Sequence, residues 1–557
     1  MSVFKKLLDK KQPDSSGRRW LFVPYDQLSD SMGPLAKEDP KSLGIILVEN
    51  TWKAARRPYH KQKLALIVAN LRHFALEQAD RGVAVKYVAA NGPYRTALEQ
   101  LIPQCGPIRM MIPAERELRV DLQGLVKKGN LEFIPHEGWL TTSEHFHESK
   151  KKGPPWRMDV FYRHIRQQTG ILMEEGKPLG GKLSFDVENR LAWRGDPPAP
   201  EVPNFPVDPI KKEVVDLIES RLGHHPGQLD LHGLPGTKSD AQNLWSWAKS
   251  ECLPYFGPYQ DAMSKESSSL FHTRISAVLN LHRLLPGEIV DDILRMDLPL
   301  PSKEGFIRQV LGWREFVRHV HRATDGFRTL PTGKAPVAER PGDGGYSRWA
   351  GKPWPATWSR KEPDGGARPS FFGTHNPLPP AYWGEESGLN CLDKVVSHLW
   401  REGYGHHITR LMVLANLATL LEVSPRELTD WFWVAYVDAY DWVVEPNVLG
   451  MGTYAVADLM TTKPYISGAA YINKMGDFCK SCLFDPKKNC PITNLYWGFL
   501  ARHQESLENN PRLRMIMATL RKRDESLRQY DQKVFQHLHK ALKHGAQLSP
   551  ESLPKKY

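Results

Sequence analysis

The sequence predicts two domains of different class: an α/β N-terminal domain built on a parallel sheet, followed by an all-α C-terminal domain. Three observations carry this. Short apolar runs alternate with helical segments over residues 18–147, the arrangement of a parallel sheet with crossover helices. Beyond about residue 208 the apolar spacing is helical. A chain of 557 residues is also too long for a single hydrophobic core.

Taken in order, residues 1–17 are polar and are expected to be a disordered terminus. Apolar runs at Trp20 to Val23, Ile45 to Val48, Val83 to Val88, Ile108 to Ile112 and Leu131 to Ile134 predict five strands. Leu64, Ile67, Leu71 and Phe74 repeat at helical spacing between the second and third. No Gly-x-Gly-x-x-Gly follows the first strand, so the sheet carries no dinucleotide fingerprint. Residues 148–207 are a linker, Gly- and Pro-rich apart from a helix over Met158 to Gln168. On it Arg163 and Arg166 share a face, placed to meet phosphates or simply water.

The helical domain spans residues 208–545, with a tail at 546–557. Ser424-Pro425-Arg426-Glu427 predicts a helix start with a capping box, leading into Leu428, Trp431, Phe432 and Tyr436. Helical spacing fails over 324–373, where a Pro- and Gly-rich insertion with Trp349, Trp354 and Trp358 intervenes.

Apolar residues make up 41% and charged residues 25%, the balance of a globular protein in water. No apolar run reaches the roughly 18 residues needed to span a bilayer. The first residues lack a signal-peptide core, so a cytoplasmic protein with free thiols is expected. A net charge of +12 favours a polyanionic partner, nucleic acid first, although a solvated basic surface accounts for it equally. Twelve of the 17 tryptophans lie beyond residue 240, a bias that suits stacking on planar ligands as well as large helical cores.

Three of the six cysteines fall close together, as Cys479-x-x-Cys482 and Cys490, which is ligand spacing; Cys391 is the candidate fourth. Spacing alone fits zinc and an iron–sulfur cluster equally, and buried unligated thiols remain a third reading.

These cysteines stand beside Tyr404-Gly405-His406-His407, Arg410, the stretch Asp438 to Met451, and Thr462 to Tyr471. Read together, the segments closely resemble the bacterial iron–sulfur branch of the photolyase/cryptochrome family, from about Arg19 to Arg523. The resemblance implies a Rossmann-like antenna domain and a helical FAD-binding domain. It implies UV-damaged DNA as partner, with no membrane, no obligate protein partner and a monomeric state. Cys391, Cys479, Cys482 and Cys490 match ligands of a 4Fe–4S cluster, although the loop before Cys490 is shorter than the family's. Thr273 and Ser276 match the flavin's diphosphate turn, Arg314 a residue facing the flavin, Arg410 and Asp441 its paired charges, and Asn447 the position near N5. Trp313, Met451 and Tyr465 match the damaged-base pocket, and Arg163 and Arg166 lie on the linker that runs near DNA.

His407, with His406 beside it, matches the histidine that assists proton transfer in the family's (6-4) photolyases. Reversal of a (6-4) photoproduct moves a hydroxyl or amino group and needs an acid, whereas a cyclobutane dimer needs only an electron. Trp431 and Trp383 match the electron relay, with Phe432 replacing its intervening tyrosine; Trp433 is a candidate substitute. Bacterial members hold a ribityllumazine antenna, a cofactor the resemblance allows. Here Ala54-Ala55-Arg56-Arg57 stands where they have an acidic and an aromatic residue. The expected activity is light-driven repair of the (6-4) photoproduct. The rivals are a cryptochrome-like photoreceptor on the same scaffold and a non-enzymatic nucleic-acid binder with structural zinc.

Overall fold

The computed structural model describes residues 2–346 and 364–555. The first domain is a five-stranded sheet in the order β3-β2-β1-β4-β5, with every pairing parallel. The strands are β1 (Arg19–Phe22), β2 (Leu43–Asn50), β3 (Ala84–Ala90), β4 (Ile108–Met111) and β5 (Leu131–Ile134). Each predicted apolar run forms one of them, because a strand covered on both faces must be apolar on both. Ile45, Ile46 and Leu47 on the central β2 are fully buried.

The N-terminus departs from expectation. Val3–Lys11 forms α1, capped by Ser2. Its Phe4 and Leu8, four apart, make an apolar stripe in a lysine-rich helix and are buried, with Phe4 edge-on to Tyr87 at 4.6 Å. The first domain continues with α2 (Lys61–Asp80) and α3 (Arg116–Lys127).

In the linker, α4 (Met158–Thr169) presents Arg163 to solvent but not Arg166. Arg166 is buried and donates to the carbonyls of Ile171 at 3.2 Å, Leu183 at 2.8 Å and Leu172, so it ties down the chain that follows rather than facing DNA. The helical domain includes α5 (Pro209–Leu222), α6 (Asn390–Glu402), α7 (Pro425–Ala435), α8 (Pro491–Arg502) and α9 (Glu525–Lys543). Ser424 caps α7, but the predicted capping box is incomplete: Glu427 accepts from the backbone N–H of Leu378 at 3.0 Å.

Of the insertion, residues 347–363, with its three tryptophans, lie outside the described residues, as do 556 and 557 of the tail. Its two described flanks pack on α7. Gly342 N–H donates to Asp430 at 2.7 Å, and the buried Arg426 binds Asp430, Glu445 at 2.7 Å and the Ala367 carbonyl.

The two domains join through buried polar contacts. His60 N–H donates to the Val434 carbonyl at 2.8 Å, and the Lys63 ammonium to that of Trp433 at 3.0 Å. No described helix is long and apolar enough to cross a membrane. Removing the guanidinium in Arg426→Met leaves two buried carboxylates without their cation, an expected loss of about 3–5 kcal/mol in denaturant unfolding. A loss below about 1 kcal/mol would show that the network is not under strain without it.

Candidate active site

Three helical segments of π geometry carry much of the predicted site. Arg308–Arg314 holds Trp313 and Arg314, Thr409–Ala415 holds Arg410, and Pro446–Gly452 holds Asn447 and Met451. A wider turn swings side chains off the regular helical stripe, and such segments gather at functional sites.

The centre of the site is Asp438. Its carboxylate accepts two bonds from the Arg410 guanidinium, at 3.0 and 2.9 Å, and one from the Ser276 hydroxyl at 2.7 Å. Burial pushes this carboxyl up, but the charge and hydrogen bonds of Arg410 more than offset that and hold it below its usual range. The guanidinium lies 3.9 Å over the Tyr436 ring.

The expected pairing of Arg410 with Asp441 is thereby corrected. Asp441 accepts from the backbone N–H groups of Arg116 at 2.6 Å and Glu117 at 3.3 Å, placing an anion at the start of α3 across the domain boundary. Residues 436–440 are not helical, so the two aspartates, three apart, do not share a face.

Beside Arg410, Tyr436 Oη and both ring nitrogens of His406 are buried without a protein partner. Buried polar groups are seldom left unmade, so this set fits a bound polar ligand; a cation with donors suits the anionic edge of a reduced flavin. Thr273 is buried in the adjoining turn. That turn is fastened by Arg274, which binds Glu402 at 2.9 Å and Ser269 at 2.7 Å. Asn447 is half-buried and donates to the Val443 carbonyl at 2.8 Å.

Arg314, expected to face a flavin, lies buried 4.1 Å over the Trp139 ring with Trp442 at 5.5 Å, which places it in the domain boundary. Half-buried Trp313 meets Phe316 edge-on at 6.1 Å.

His406 stacks face to face on His272, at 4.4 Å and 7°. The ring nitrogens of His272, His406 and His407 come within 4.8 Å of one another, but stacked imidazoles hold their in-plane lone pairs parallel rather than convergent on one metal. The His407 side chain is 42% accessible, yet surrounding protein desolvates the ring and pulls it down to about 3, so it is neutral at neutral pH.

His407 Nε2 lies 4.0 Å from Asp261 Oδ1. Burial, then the nearby Asp186, raises the Asp261 carboxyl to about 6. The Tyr471 hydroxyl reaches Asp261 at 3.4 Å. Tyr465 shares the neighbourhood: burial raises its hydroxyl, and the charges of Asp186, Arg190 and Asp261 act on it. The structure thus gathers His407 and Tyr471 around Asp261, which no sequence motif flagged.

Trp431 is fully buried, and Phe432 lies between it and Tyr436 at 5.1 and 5.4 Å. Trp433 lies under the Arg57 guanidinium at 4.2 Å in the domain boundary, and among the described residues no ring contact joins it to Trp431 or Trp383. Arg57 is buried and pairs with Glu117, while Arg56 covers Trp52 at 4.2 Å. With both guanidiniums engaged by protein, residues 54–57 do not fit a stacked lumazine.

Cys391, Cys479, Cys482 and Cys490 line one recess, walled by Leu389, Phe478, Phe484 and Ile492. Burial raises the Cys391 thiol well above its ordinary value, that of Cys479 to about 11 and that of Cys490 to about 12. No three of these sulfurs fall within 4.8 Å of one another.

A parallel α/β domain docked on a helical domain, with an arginine–aspartate pair beside orphaned buried polar groups, defines a two-domain protein with a site for a polar ligand in its helical domain. The chain is 32% identical over 526 residues to a (6-4) photolyase of Agrobacterium fabrum, covering 91% of this chain and 96% of the relative. A family model, deoxyribodipyrimidine photo-lyase-related protein, matches residues 21–233. Among solved structures, a class III photolyase from Agrobacterium tumefaciens superposes with a TM-score of 0.50 at 15% identity, covering 98% of this chain and 95% of that one. A cryptochrome from Synechocystis gives 0.51 at 14% identity, covering 89% and 93%. The chain belongs to the photolyase/cryptochrome family.

Asp438→Asn removes the charge that Arg410 answers. Flavin retention should weaken about tenfold or more, the worth of a charge-assisted hydrogen bond, whereas Asp441→Asn leaves it intact. Flavin-to-protein ratios decide, and loss in Asp441→Asn with retention in Asp438→Asn would return the role to Asp441.

Proposed function

We propose that this chain is a light-driven DNA repair enzyme, a photolyase acting on the (6-4) pyrimidine–pyrimidone photoproduct, with FAD as its catalytic cofactor. The observation that carries the choice of lesion is the accessible His407 side chain with its Nε2 4.0 Å from Asp261 Oδ1. The (6-4) photolyase relative, similar over nearly its whole length, supports the same reading.

Bound FAD, once reduced and excited, supplies the electron that the lesion needs. The protein's share is positional and acid–base. Arg410, held by Asp438 and Ser276, offers fixed donors and charge to the flavin's polar edge. Trp313, Met451 and Tyr465 wall the pocket for a flipped nucleotide, and flipping is cheapest where damage already weakens stacking. His407, neutral at rest, handles the proton at Nε2, with Asp261 Oδ1 as the neighbouring reservoir. Group transfer between the two pyrimidines requires that proton; a cyclobutane dimer does not. Arg163, exposed on α4, meets phosphate.

The four cysteines hold a 4Fe–4S cluster in this reading. Zinc bound tetrahedrally at 2.3 Å would draw its sulfurs to about 3.8 Å from one another. A cubane, with each thiolate on a different iron, needs them wider, and the match of all four cysteines to the family's cluster ligands supports that choice. The cluster's role is structural, and the compartment is the cytoplasm, where such clusters survive.

The test is an absorption spectrum of anaerobically purified protein, followed by illumination with a (6-4)-containing oligonucleotide under reducing conditions. Flavin bands with light-dependent loss of the lesion are expected; flavin without repair would make the chain a photoreceptor. His407→Ala should lower repair by about 100-fold or more with flavin retained. Unchanged repair removes His407 from the chemistry. Cys391→Ser should lose iron and its broad absorbance, and a stoichiometric zinc content in the unaltered protein would refute the cluster.

A further inference from the structure

We propose that Trp400 is the middle station of the route by which electrons reach the flavin site, standing between Trp431 and Trp383 where Phe432 cannot serve. The inference rests on the flavoprotein reading above. The inner end is Trp431, fully buried and 6.3 Å from the ring of Tyr436, which Arg410 covers. The outer end is Trp383, half-buried at the surface.

Trp400 bridges them. Its ring lies 6.3 Å from Trp431, edge-on at 82°, and 4.9 Å from Trp383, stacked at 28°. One peptide unit fixes all three indoles. The Trp431 and Trp400 N–H groups both donate to the Tyr382 carbonyl, at 3.1 and 2.9 Å, and that carbonyl is bonded directly to the backbone nitrogen of Trp383. Phe432 lies on the inner side, against Trp431 and Tyr436; among the described residues no ring contact joins it to Trp383 or Trp400. Its benzene ring is also far harder to oxidise than a phenol or an indole.

Trp400 is clamped from its other side. His60 stacks on it at 5.7 Å and 5°, with Nε2 3.1 Å from the Trp400 carbonyl. Burial keeps that imidazole neutral, pulling it down to about 4, so it does not oppose positive charge on the indole.

The electron count closes with one external reductant. Trp431 gives one electron to the photoexcited flavin, and the vacancy passes to Trp400 and then to Trp383. A thiol in solution fills it, losing one electron and releasing its proton to water. Nothing but the thiol is consumed, and the flavin is one electron richer.

The experiment is photoreduction of the flavin-loaded protein by blue light with an excess of thiol, alongside repair by the same protein reduced chemically in the dark. Trp400→Phe and Trp383→Phe should each slow photoreduction about tenfold or more, while Trp433→Phe should leave it within about twofold. Trp400→Tyr, which keeps an oxidisable ring, should recover part of it. Repair by chemically reduced Trp400→Phe stays within about twofold of the unaltered enzyme, separating loss of the relay from loss of the repair function. Photoreduction by Trp400→Phe at the original rate overturns the proposal. Phe432→Tyr, a change of one hydroxyl, tests it without touching Trp400. The rate should stay within about twofold, and an increase of about tenfold would mean that the natural route passes through position 432 and is broken there.

Discussion

The site depends on one buried carboxylate. Asp438 sits where the helical domain meets the first domain, and a lone anion there would be prohibitively costly. Two bonds from Arg410 and one from Ser276 compensate it, and Asn280 secures its backbone carbonyl at 2.9 Å. Burial pulls the Lys63 amine well below its ordinary range, the charge of the same carboxylate opposes that, and the amine donates from the first domain to the Trp433 carbonyl. Flavin-facing charge and domain docking therefore share one electrostatic balance. That is why Arg410, half-buried and stacked on Tyr436, is rigid enough to orient a ligand.

The fold was legible because its signals are local. Five apolar runs with helices between them can hardly form anything but a parallel sheet, and the absence of a glycine fingerprint separated it from nucleotide-binding relatives. The exceptions have physical causes. Residues 1–17 are too polar on average to predict order, but Phe4 and Leu8 at helical spacing suffice for one docked helix. Arg166 and Arg163 share a helix face by arithmetic, and only the loop wrapping back over α4 decides which guanidinium is consumed by carbonyls.

The candidate site was legible as a set of residues and less so as a set of partners. Arg410 was expected to pair with Asp441 and Ser276 to meet the flavin diphosphate, whereas both bind Asp438, three residues before Asp441. The difference turns on a non-helical stretch that no periodicity announces. Asp261 lies nearly 150 residues from His407 and meets it only through the fold. The π-helical segments escape a sequence reading for a related reason: one extra residue per turn looks like ordinary helix in an apolar pattern. Arg314 shows the cost, since its motif was recognised while its direction, toward Trp139, depends on the turn geometry of Arg308–Arg314.

One helix links the cysteine recess to the tryptophans. Cys391 stands in the first turn of α6 and Trp400 near its last, nine residues on, about 13 Å along the axis. The cluster proposed at the four cysteines would fasten the start of α6 to the loop bearing Cys479, Cys482 and Cys490, which line the same recess. The other end of α6 is held by the Tyr382 carbonyl and by His60. A helix pinned at both ends cannot slide, and a slide of one turn, about 5.4 Å, would part Trp400 from both of its neighbours. A metal centre at the four cysteines, as proposed, would thus steady the tryptophan route through the packing of α6 alone, without itself passing an electron.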